Sequence, residues 1–390
     1  MSVQSMKKFD VIIAGGGIVG VTFALSLNVL SNEKFSIALI EPFKNTLNRS
    51  IALSHGTVEL MKKFKLWEAI IDIATPINQI QISERSNLGI VNICTENYFI
   101  DAIGYVVELS HVLDIYYNRL KKMNNIELFF SKSVTGVKQK IDKVKIILTD
   151  SKQLTAKLLV AADGSISACC KKIRLDYQEY DFKQAAVVAK IISSEKNNGM
   201  AFKRFTKSGS IALLPISSNN FSLVWCLSPN LAREVMFYNE EKFLDSLQKE
   251  FGWYLGKLLK ASNKATYPLY LRYQRKNISH RFAIIGNAAQ TLHPMAAQGF
   301  NLGMRDVASL AEEIISSPHD IGDYDNLIRF NKHRNADRQA TIKLTSSLVK
   351  LFASNSLSIK IGRSVGLFAI ENIFFLKMSL LHRMLGFVNH

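Results

Sequence analysis

The sequence predicts a mixed α/β fold in which a parallel sheet and an antiparallel sheet are interleaved along the chain and followed by a helical C-terminal segment. Three observations support this fold class. A strand–turn–helix–strand pattern opens the chain, period-two alternation fills its middle, and apolar residues mixed with bases fill its end. The 390 residues, 48% of them hydrophobic, can bury a large core. We expect two or three domains, since a domain usually has roughly 100–200 residues.

The first elements form a βαβ unit. Residues 9–14 (FDVIIA) are an apolar run rich in β-branched side chains, which is typical of a buried strand. Three glycines at 15–17 interrupt the run, and Ile18–Leu30 follows with a helical pattern. A second buried strand, residues 35–40 (FSIALI), ends at Glu41. These elements predict two parallel strands joined by a helix.

Two later segments repeat the junction between a strand and a glycine-bearing loop. Residues 158–162 and 281–285 are short apolar runs, and each leads directly into a loop that contains glycine. We therefore expect both segments to be two further buried strands.

The middle of the chain has a different pattern. Residues 185–192, 210–214 and 221–227 alternate between apolar and polar side chains, with turn residues at 217–220. This alternation predicts an antiparallel sheet inserted into the first domain. Residues 245–259 are predicted to form a helix.

The glycine loop after the first strand has the spacing of a dinucleotide-binding motif, Gly15-x-Gly17-x-x-Gly20. Gly15 permits the tight turn, Gly17 lets backbone amides approach a pyrophosphate, and Gly20 lets the helix pack against the strand. Glu41, at the end of the next strand, can accept hydrogen bonds from ribose hydroxyls and disfavours a 2′-phosphate. The motif therefore favours FAD or NAD over NADP. The alternative is that the glycine-rich turn serves only in packing and binds no nucleotide.

Two further glycine-bearing loops, residues 162–165 (ADGS) and 286–303 (GNAAQTLHPMAAQGFNLG), distinguish the chain from a nicotinamide dehydrogenase, which needs only the first loop. These loops resemble the DG and GD motifs of the class A flavoprotein monooxygenases, the para-hydroxybenzoate hydroxylase superfamily. The resemblance implies a Rossmann-like FAD-binding domain interleaved with a substrate domain. The implied domains are residues 1–72, 98–181 and 281–345 for FAD, residues 73–97 and 182–280 for the substrate, and residues 346–390 for the C-terminal helical segment.

The resemblance also implies roles for individual residues. Glu41 and Arg49 would bind the FAD ribose region, Asp163 would lie near the pyrophosphate and the nicotinamide, and Asn287 would lie near the ribityl chain or the pyrophosphate. Residues 294 and 298–303 would approach the isoalloxazine ring. The candidate cofactor-binding residues are Gly15, Gly17, Ile18, Gly20, Glu41, Arg49, Asp163, Gly164, Asn287, Pro294, Gln298, Gly299, Asn301 and Leu302.

The chain departs from the superfamily pattern at two positions. Asn287 replaces a common Asp, which keeps the hydrogen bonding and removes a charge, and Cys170 replaces a common Arg after the DG motif. His293 is either the cap of a turn beside proline or a residue near the flavin. Asp306 is predicted to be a structural or capping acid.

The resemblance covers essentially the whole chain and is greatest to the ubiquinone-pathway branch, which hydroxylates polyprenylated methoxyphenols. It implies insertion of one atom of O2, with NAD(P)H as a transient reductant. It identifies no catalytic residue. The strings that carry it are residues 49–54, 204–206, 213–215, 223–226, 251–253, 286–294, 298–306 and 337–341. Candidate walls of the substrate pocket, each of which would otherwise be core, are Phe202, Phe205, Leu213, Pro215 and Trp225.

Other functions remain open at this stage. The principal alternative is a sister hydroxylase that acts at another ring carbon, and another is a non-catalytic FAD-binding component of a biosynthetic complex. A flavin halogenase or a polyprenyl reductase could share the fold, but the W-x-W-x-I-P stretch typical of flavin halogenases is absent from the sequence.

The net charge of +17 favours an acidic partner, but no nucleic-acid-binding module is recognised and nucleic acid is not expected as a partner. From residue 329 onward, ten bases stand against two acids. This segment is either a basic helical lid on the core or a surface for membrane and protein partners. We hypothesise that residues after about Ser346 dock on anionic lipid or on other pathway proteins.

Cysteine usage and the N-terminus bear on location. The four cysteines are Cys94, Cys169, Cys170 and Cys226, and they have neither zinc-ligand nor C-x-x-C spacing. We therefore expect buried free thiols, no metal site and a reducing compartment. No signal-peptide core precedes Asp10, and no stretch reaches the ~20 apolar residues of a spanning helix. We therefore expect a cytoplasmic protein, with peripheral contact to the inner face of the cytoplasmic membrane as the open alternative.

Overall fold

The computed structural model describes residues 6–42, 49–85, 90–98, 100–317, 319–353, 357–373, 377–378, 382 and 385–386. Its strands are β1 (Lys7–Ala14), β2 (Ile37–Glu41), β3 (Ser50–Ser54), β4 (Thr75–Ile77), β5 (Gln79–Glu84), β6 (Ile90–Cys94), β7 (Gly104–Glu108), β8 (Ile126–Phe130), β9 (Val134–Gln139), β10 (Val144–Leu148), β11 (Gln153–Ala161), β12 (Tyr177–Ser193), β13 (Met200–Thr206), β14 (Gly209–Ser217), β15 (Asn220–Leu227), β16 (Leu258–Gln274), β17 (Ile278–Ser279), β18 (Phe282–Ile284) and β19 (Gln290–Thr291). Its helices are α1 (Ile18–Leu30), α2 (His55–Lys63), α3 (Leu109–Leu120), α4 (Ala168–Lys172), α5 (Pro229–Phe237), α6 (Glu240–Phe251), α7 (Gln298–Ser316), α8 (Tyr324–Ala353) and α9 (Leu357–Asn372).

The first sheet brings the predicted strand-to-loop junctions together. Its order is β17-β18-β11-β1-β2-β8, with β10 pairing β11 and β9. β1 pairs in parallel with both β2 and β11, and β11 pairs in parallel with β18. The βαβ prediction and both later strands are thus confirmed. Because β18, β11, β1 and β2 are neighbours and run the same way, the loops at their carboxyl ends meet at one edge of the sheet.

The second sheet is the predicted antiparallel sheet, in the order β19-β16-β12-β15-β14-β13-β5-β6. β12 pairs antiparallel with β15, β15 with β14, and β14 with β13. β5 differs, because it pairs in parallel with β13. A separate small sheet, β3-β7-β4, lies between the two.

The helix predicted at residues 245–259 is wrong at both ends. α6 begins at Glu240, where the Asn239 side chain accepts the amide of Lys242, and it ends at Phe251. Gly252 follows with φ 93°, a left-handed conformation that favours glycine and ends a helix. Residues from Leu258 onward belong to β16. Leu258 and Leu259 belong to the next strand, so periodicity alone merged two elements.

The core has three main parts. One face of the first sheet packs against α1, α2, α3 and α7. Its other face packs against β9, β10 and the short helix α4. The second sheet packs one face against α5 and α6. Its opposite face is therefore left to face the carboxyl ends of the parallel strands.

A buried ionic network joins α7 to α8. Asp306 accepts hydrogen bonds from Arg334 Nε (2.9 Å), Gln290 Nε2 (2.7 Å) and the Gly286 amide (3.2 Å). Asp337 pairs with Arg334 (2.7 Å) and with Arg305 (2.8 Å). Asp306 is therefore a structural acid, as predicted, but it lies inside α7 rather than at a cap.

The same network changes the interpretation of the basic C-terminal segment. Arg334 and Arg338 are 2% and 1% exposed, so part of the predicted positive surface lies in the core. Ser346, the predicted start of the C-terminal segment, lies inside α8. Among the described helices, none combines the length and the hydropathy needed to cross a bilayer.

The cysteines are free thiols. Cys169, Cys170 and Cys226 are buried, and Cys94 is half-buried. The prediction of buried free thiols therefore holds for three of the four positions.

Candidate active site

A cavity of about 1960 Å³ lies between the carboxyl ends of the parallel strands and the free face of the antiparallel sheet. Of the fourteen residues proposed from the sequence, all but Gly20 and Leu302 are among the described residues that line it. The three glycine-bearing loops, which are far apart in the sequence, thus line one cavity.

The first glycine loop has the geometry that the motif requires. Gly15 has φ 107°, and a Cβ there would overlap the backbone of Ala162. A Cβ at Gly20 would overlap the carbonyl oxygen of Gly15, so Gly20 acts in packing rather than as part of the cavity wall. A Cβ at Gly17 would meet no described atom within 4 Å, so the loop is open on the side that faces the cavity.

Glu41, the last residue of β2, forms a hydrogen bond with this loop. The Gly16 amide donates to Glu41 Oε2 across 2.6 Å, and the Glu41 side chain lines the cavity. Tyr117, on α3, donates its hydroxyl to the Gly16 carbonyl at 2.7 Å. Burial raises the pKa of Tyr117, and the negative charge of Glu41 raises it further, so Tyr117 stays a protonated donor. No local sequence pattern pointed to Tyr117, because its contact depends on how α3 packs against the loop.

Asp163 follows β11 and offers a buried acceptor to the cavity. Its Oδ2 accepts the Cys169 amide at 3.1 Å. Its Oδ1 is buried and has no hydrogen-bond partner within the described chain. A buried carboxylate oxygen without a donor is costly, so a ligand donor at this point would stabilise the fold.

Cys170 cannot supply the positive charge of the arginine that the superfamily pattern places after the DG motif. It is 3% exposed, and burial raises the pKa of its thiol to about 12. A neutral thiol supplies no positive charge to a phosphate. The helix α4 begins here instead with Ser167, whose hydroxyl accepts the Cys170 amide at 3.0 Å.

The third loop begins at Gly286, which packs against the first loop. A Cβ at Gly286 would press on Val19 of α1 at 2.9 Å, and the residue has φ 62°. Asn287, next in the chain, is exposed and lines the cavity. The loop therefore fixes its backbone with glycine and presents the amide of Asn287 to the open space.

His293 caps a turn, which is one of the two alternatives left open by the sequence, and it also lines the cavity. Its Nδ1 accepts the Met295 amide at 3.1 Å, and its Nε2 lies 2.9 Å from Gln184 Oε1. An accepting Nδ1 carries no proton, so Nε2 holds the proton and donates it to Gln184. Burial lowers the pKa of His293 to about 3, and the positive charge of Lys203 acts in the same direction. The ring is therefore neutral.

The N-terminus of α7 faces the cavity through Gln298 and Gly299. A Cβ at Gly299 would meet no described atom within 4 Å. Asn301 fastens this helix to β3 and α2, because its Oδ1 accepts Ser54 N at 2.9 Å and Thr57 Oγ1 at 2.8 Å. The Leu302 side chain is fully buried in the core.

Arg49 lies at the cavity edge against the second sheet. Its guanidinium is 4.5 Å from the centre of the Tyr267 ring. Burial raises the pKa of Tyr267, which Arg49 partly counteracts. The contact joins the start of β3 to the roof of the cavity.

The free face of the antiparallel sheet forms that roof, and the predicted wall residues divide between its two faces. Phe205 lines the cavity, whereas Leu213, Pro215 and Trp225 are absent from its described lining. Phe202 borders the cavity, but its ring packs against Phe251 of α6 on the opposite face of the sheet. Leu213 and Trp225 pack in the core under α5 and α6. Strand alternation puts Ala212 and Leu214 on the cavity side instead. Lys203 also lines the roof, although no sequence motif pointed to it.

These residues fit FAD on structural grounds. The backbone is open at Gly17, Gly164 and Gly299, where a Cβ would meet no described atom within 4 Å. Neither α1 nor α7 has a side-chain N-cap, so their first amides can donate to a ligand. With Glu41 and Asp163, the cavity offers the acceptors, the donors and the close backbone approach that a dinucleotide needs.

Comparison with known proteins agrees with this geometry. Residues 8–345 match FAD_binding_3, the family described as FAD binding domain. The chain is 27% identical to the Ubiquinone hydroxylase UbiL of Rhodospirillum rubrum, over 97% of this chain and 90% of that protein. It is 26% identical to the human mitochondrial Ubiquinone biosynthesis monooxygenase COQ6, over 94% of this chain and 90% of that protein.

Solved structures share the fold. The p-nitrophenol 4-monooxygenase PnpA of Pseudomonas putida superposes with a TM-score of 0.82 at 17% identity, over 99% of this chain and all of that one. The OxyS anhydrotetracycline hydroxylase of Streptomyces rimosus gives 0.75 at 16% identity, over 97% of this chain and 76% of that one. The chain therefore belongs to the FAD-binding domain family FAD_binding_3 and has the fold of the flavin-dependent monooxygenases.

Proposed function

We propose that this protein is an FAD-dependent aromatic hydroxylase of ubiquinone biosynthesis, and that its substrate is a polyprenylated methoxyphenol. The observation that carries the proposal is the single cavity that joins the three cofactor loops to the roof of the antiparallel sheet. When bound, FAD would activate O2 with electrons taken from NAD(P)H. The relatives named above act in ubiquinone synthesis, which supports this substrate class.

The cofactor would be held by residues from the three loops. Glu41 would accept from a ribose hydroxyl, and the amides from Gly15 to Gly17 at the start of α1 would donate to the pyrophosphate. Asp163 and Asn287 would contact the middle of the cofactor. Pro294, Gln298 and Gly299 would contact its ring. An amide donor near the start of α7 would stabilise negative charge on that ring.

The apolar end of the cavity supports a prenylated substrate. This end is lined by Ile80 and Ile82 on β5, by Leu348 and Leu351 on α8 and by Ile370 on α9. Ile80, Ile82 and Ile370 belong to one apolar cluster. Burial of a prenyl tail there would contribute roughly 0.8 kcal/mol per CH2 group. A small phenol without a tail would leave these side chains without an apolar partner.

The protein's remaining tasks are to orient the ring and to exclude water from it. β13, β14 and β15 cover the cavity from above, and α8 and α9 cover it from the side. The division into FAD, substrate and C-terminal segments, with the boundaries given above, forms part of the proposal. So does peripheral contact with the inner face of the cytoplasmic membrane, where a prenylated phenol resides.

The test is to purify the protein, record its visible spectrum and follow NADH and NADPH oxidation under O2 with a short-chain prenyl-methoxyphenol. We expect bound flavin, oxidation that the phenol stimulates, and a product with one added oxygen para to the phenol oxygen. A hydroxyl at another carbon would favour a sister hydroxylase. Bound flavin without any hydroxylated product would favour a non-catalytic component of a complex.

A further inference from the structure

Lys203 places its ε-amino group on the roof of the cavity. It lies on β13 opposite Ala212 of β14, which in turn lies opposite Val224 of β15, and all three line the cavity. The ammonium donates to Ser210 Oγ at 3.2 Å and lies 5.8 Å from the centre of the Phe205 ring. The amino group therefore faces the space that the substrate would occupy.

No carboxylate within the described residues forms an ion pair with Lys203. The three acids that line the cavity are engaged elsewhere. Glu41 accepts the Gly16 amide, Asp163 accepts the Cys169 amide, and Asp337 pairs with two arginines. A partly buried cation without a counter-ion is costly, because water is excluded and no charge replaces it.

The neighbouring titratable side chains are neutral as well. Burial raises the pKa of the Cys226 thiol and of the Tyr267 phenol, so neither becomes an anion near neutral pH. His293 is a neutral imidazole whose pKa is lowered to about 3. Burial also lowers the pKa of Lys203 itself. No described neighbour supplies a negative charge at this point, so an anion there would come from a ligand, and it would restore the charged form of Lys203 that burial disfavours.

We infer that Lys203 binds an anionic oxygen of the aromatic substrate, either a phenolate or a carboxylate on the ring. The inference rests on the proposed function and deepens it, because it names the substrate group that the roof recognises. An ammonium beside a phenol favours the phenolate, and a phenolate ring is more electron-rich at its ortho and para carbons. An anion bound there would likewise favour the protonated form of Lys203.

The experiment measures ligand binding to the FAD-loaded protein through the change in flavin absorbance, without turnover. The probes are a short-chain prenyl-methoxyphenol, its methyl ether, which cannot ionise, and a short-chain prenyl-4-hydroxybenzoate. The variants are Lys203→Met, which removes the charge at similar volume, and Lys203→Arg, which keeps it. Lys207→Met is the matched control, because it removes the same charge from an exposed turn four residues along the chain.

We expect Lys203→Met to weaken binding of the ionisable probe about tenfold or more, the effect of losing one charge-assisted hydrogen bond. Binding of the methyl ether should be unchanged, Lys203→Arg should retain most of the affinity, and Lys207→Met should behave as the wild type. A loss for the methoxyphenol assigns the phenolate as the partner. A loss confined to the hydroxybenzoate assigns the carboxylate.

Two results would overturn the inference and leave the proposed function intact. One is a wild-type protein that hydroxylates the phenol while Lys203→Met binds every probe equally well. The other is an equal loss for the ionisable probe and for its methyl ether. A flavin-loaded wild-type protein that binds none of the probes would overturn both the inference and the proposed function. Flavin content and circular dichroism confirm that each variant is folded.

Discussion

The Gly16 amide and Glu41 Oε2 are 2.6 Å apart, so the carboxylate at the end of β2 is joined directly to the first glycine loop. This contact orients the carboxylate at the cavity edge before any ligand binds. The position that the sequence assigned to a ribose contact is therefore preorganised.

We predict that Glu41→Ala weakens FAD binding by about 10- to 100-fold, because a carboxylate acceptor contributes roughly 1.5–3 kcal/mol when its donor is a ligand hydroxyl. Fluorescence titration of the apoprotein with FAD measures the dissociation constant. Glu33→Ala, at an exposed turn, is the control and should bind FAD like the wild type. Equal affinity of Glu41→Ala and wild type would show that Glu41 does not contact the cofactor.

A substitution at Gly299 should change the stability of the fold and the affinity for FAD in opposite directions. It lies in the first turn of α7, and a Cβ there would meet no described atom within 4 Å. Gly299→Ala should therefore stabilise the apoprotein by about 0.5–1 kcal/mol, the helix propensity difference. It should also weaken FAD binding, since the added methyl would fill the space that the ring approaches.

Urea unfolding of the apoprotein and FAD titration check the two effects on Gly299→Ala. Gly362→Ala, on α9, is a matched control with an equally open Cβ position. It should share the gain in stability without the loss of affinity. Tighter FAD binding by Gly299→Ala would contradict the assigned place of the ring.

His293 predicts a specific pH dependence of stability. Its pKa is about 3 in the folded protein and about 6.5 when unfolded, so the unfolded chain binds the extra proton between these values. The contribution of His293 to the free energy of unfolding is fully present above about pH 6.5 and is lost as the pH falls towards 3. The free energy of unfolding should fall by about 2 kcal/mol between pH 7 and pH 5 through His293 alone.

His293→Gln provides the comparison, because glutamine does not titrate in this range. The loss of unfolding free energy between pH 7 and pH 5 should be about 2 kcal/mol smaller in the variant. Urea unfolding of both FAD-loaded proteins at the two pH values gives the difference. Parallel losses in the two proteins would mean that His293 is not held as a buried neutral ring.

The network of Asp306 and Arg334 should contribute strongly to stability. Both side chains are at most 2% exposed, so Asp306→Ala leaves part of a buried guanidinium charge without compensation. We expect a loss of about 3 kcal/mol in the free energy of unfolding, measured in urea. Glu127→Ala, which removes an exposed pair with Lys7, should cost under about 1 kcal/mol. Similar small losses for both variants would rule out a structural role for the network.

The exposed apolar side chains of α9 test the predicted membrane contact. Phe368 is 66% exposed and Val365 61% exposed, on a helix whose sequence includes Lys360 and Arg363. Phe368→Asp should lower binding to vesicles of anionic lipid about tenfold, as expected when burial of one aromatic side chain is lost. Phe237→Asp, at an 89% exposed position on α5, should not change it.

Co-sedimentation with anionic and with neutral vesicles measures this binding. Removal of residues 357–390 should reduce it at least as much as Phe368→Asp does. If the shortened protein and the full chain sedimented equally with anionic lipid, the membrane hypothesis for this segment would be wrong.

The sequence by itself determined the elements whose signals are local. The run 9–14, the glycine spacing and the helix Ile18–Leu30 predicted the first βαβ unit, because strand, turn and helix each depend on neighbouring residues. The period-two alternation likewise predicted the antiparallel sheet. Helix 245–259 failed, since apolar residues on both sides of Gly252 fit one period although they belong to different elements.

Only the tertiary structure decided which of these local features meet. Lys203 lies on the cavity face of the antiparallel sheet and Trp225 lies on its other face, because that other face packs against α5 and α6. The contact of Tyr117 with the glycine loop and the burial of Arg334 in the core depend on helices that are distant in sequence. Such choices are set by long-range burial and charge pairing, which no short window of the sequence contains.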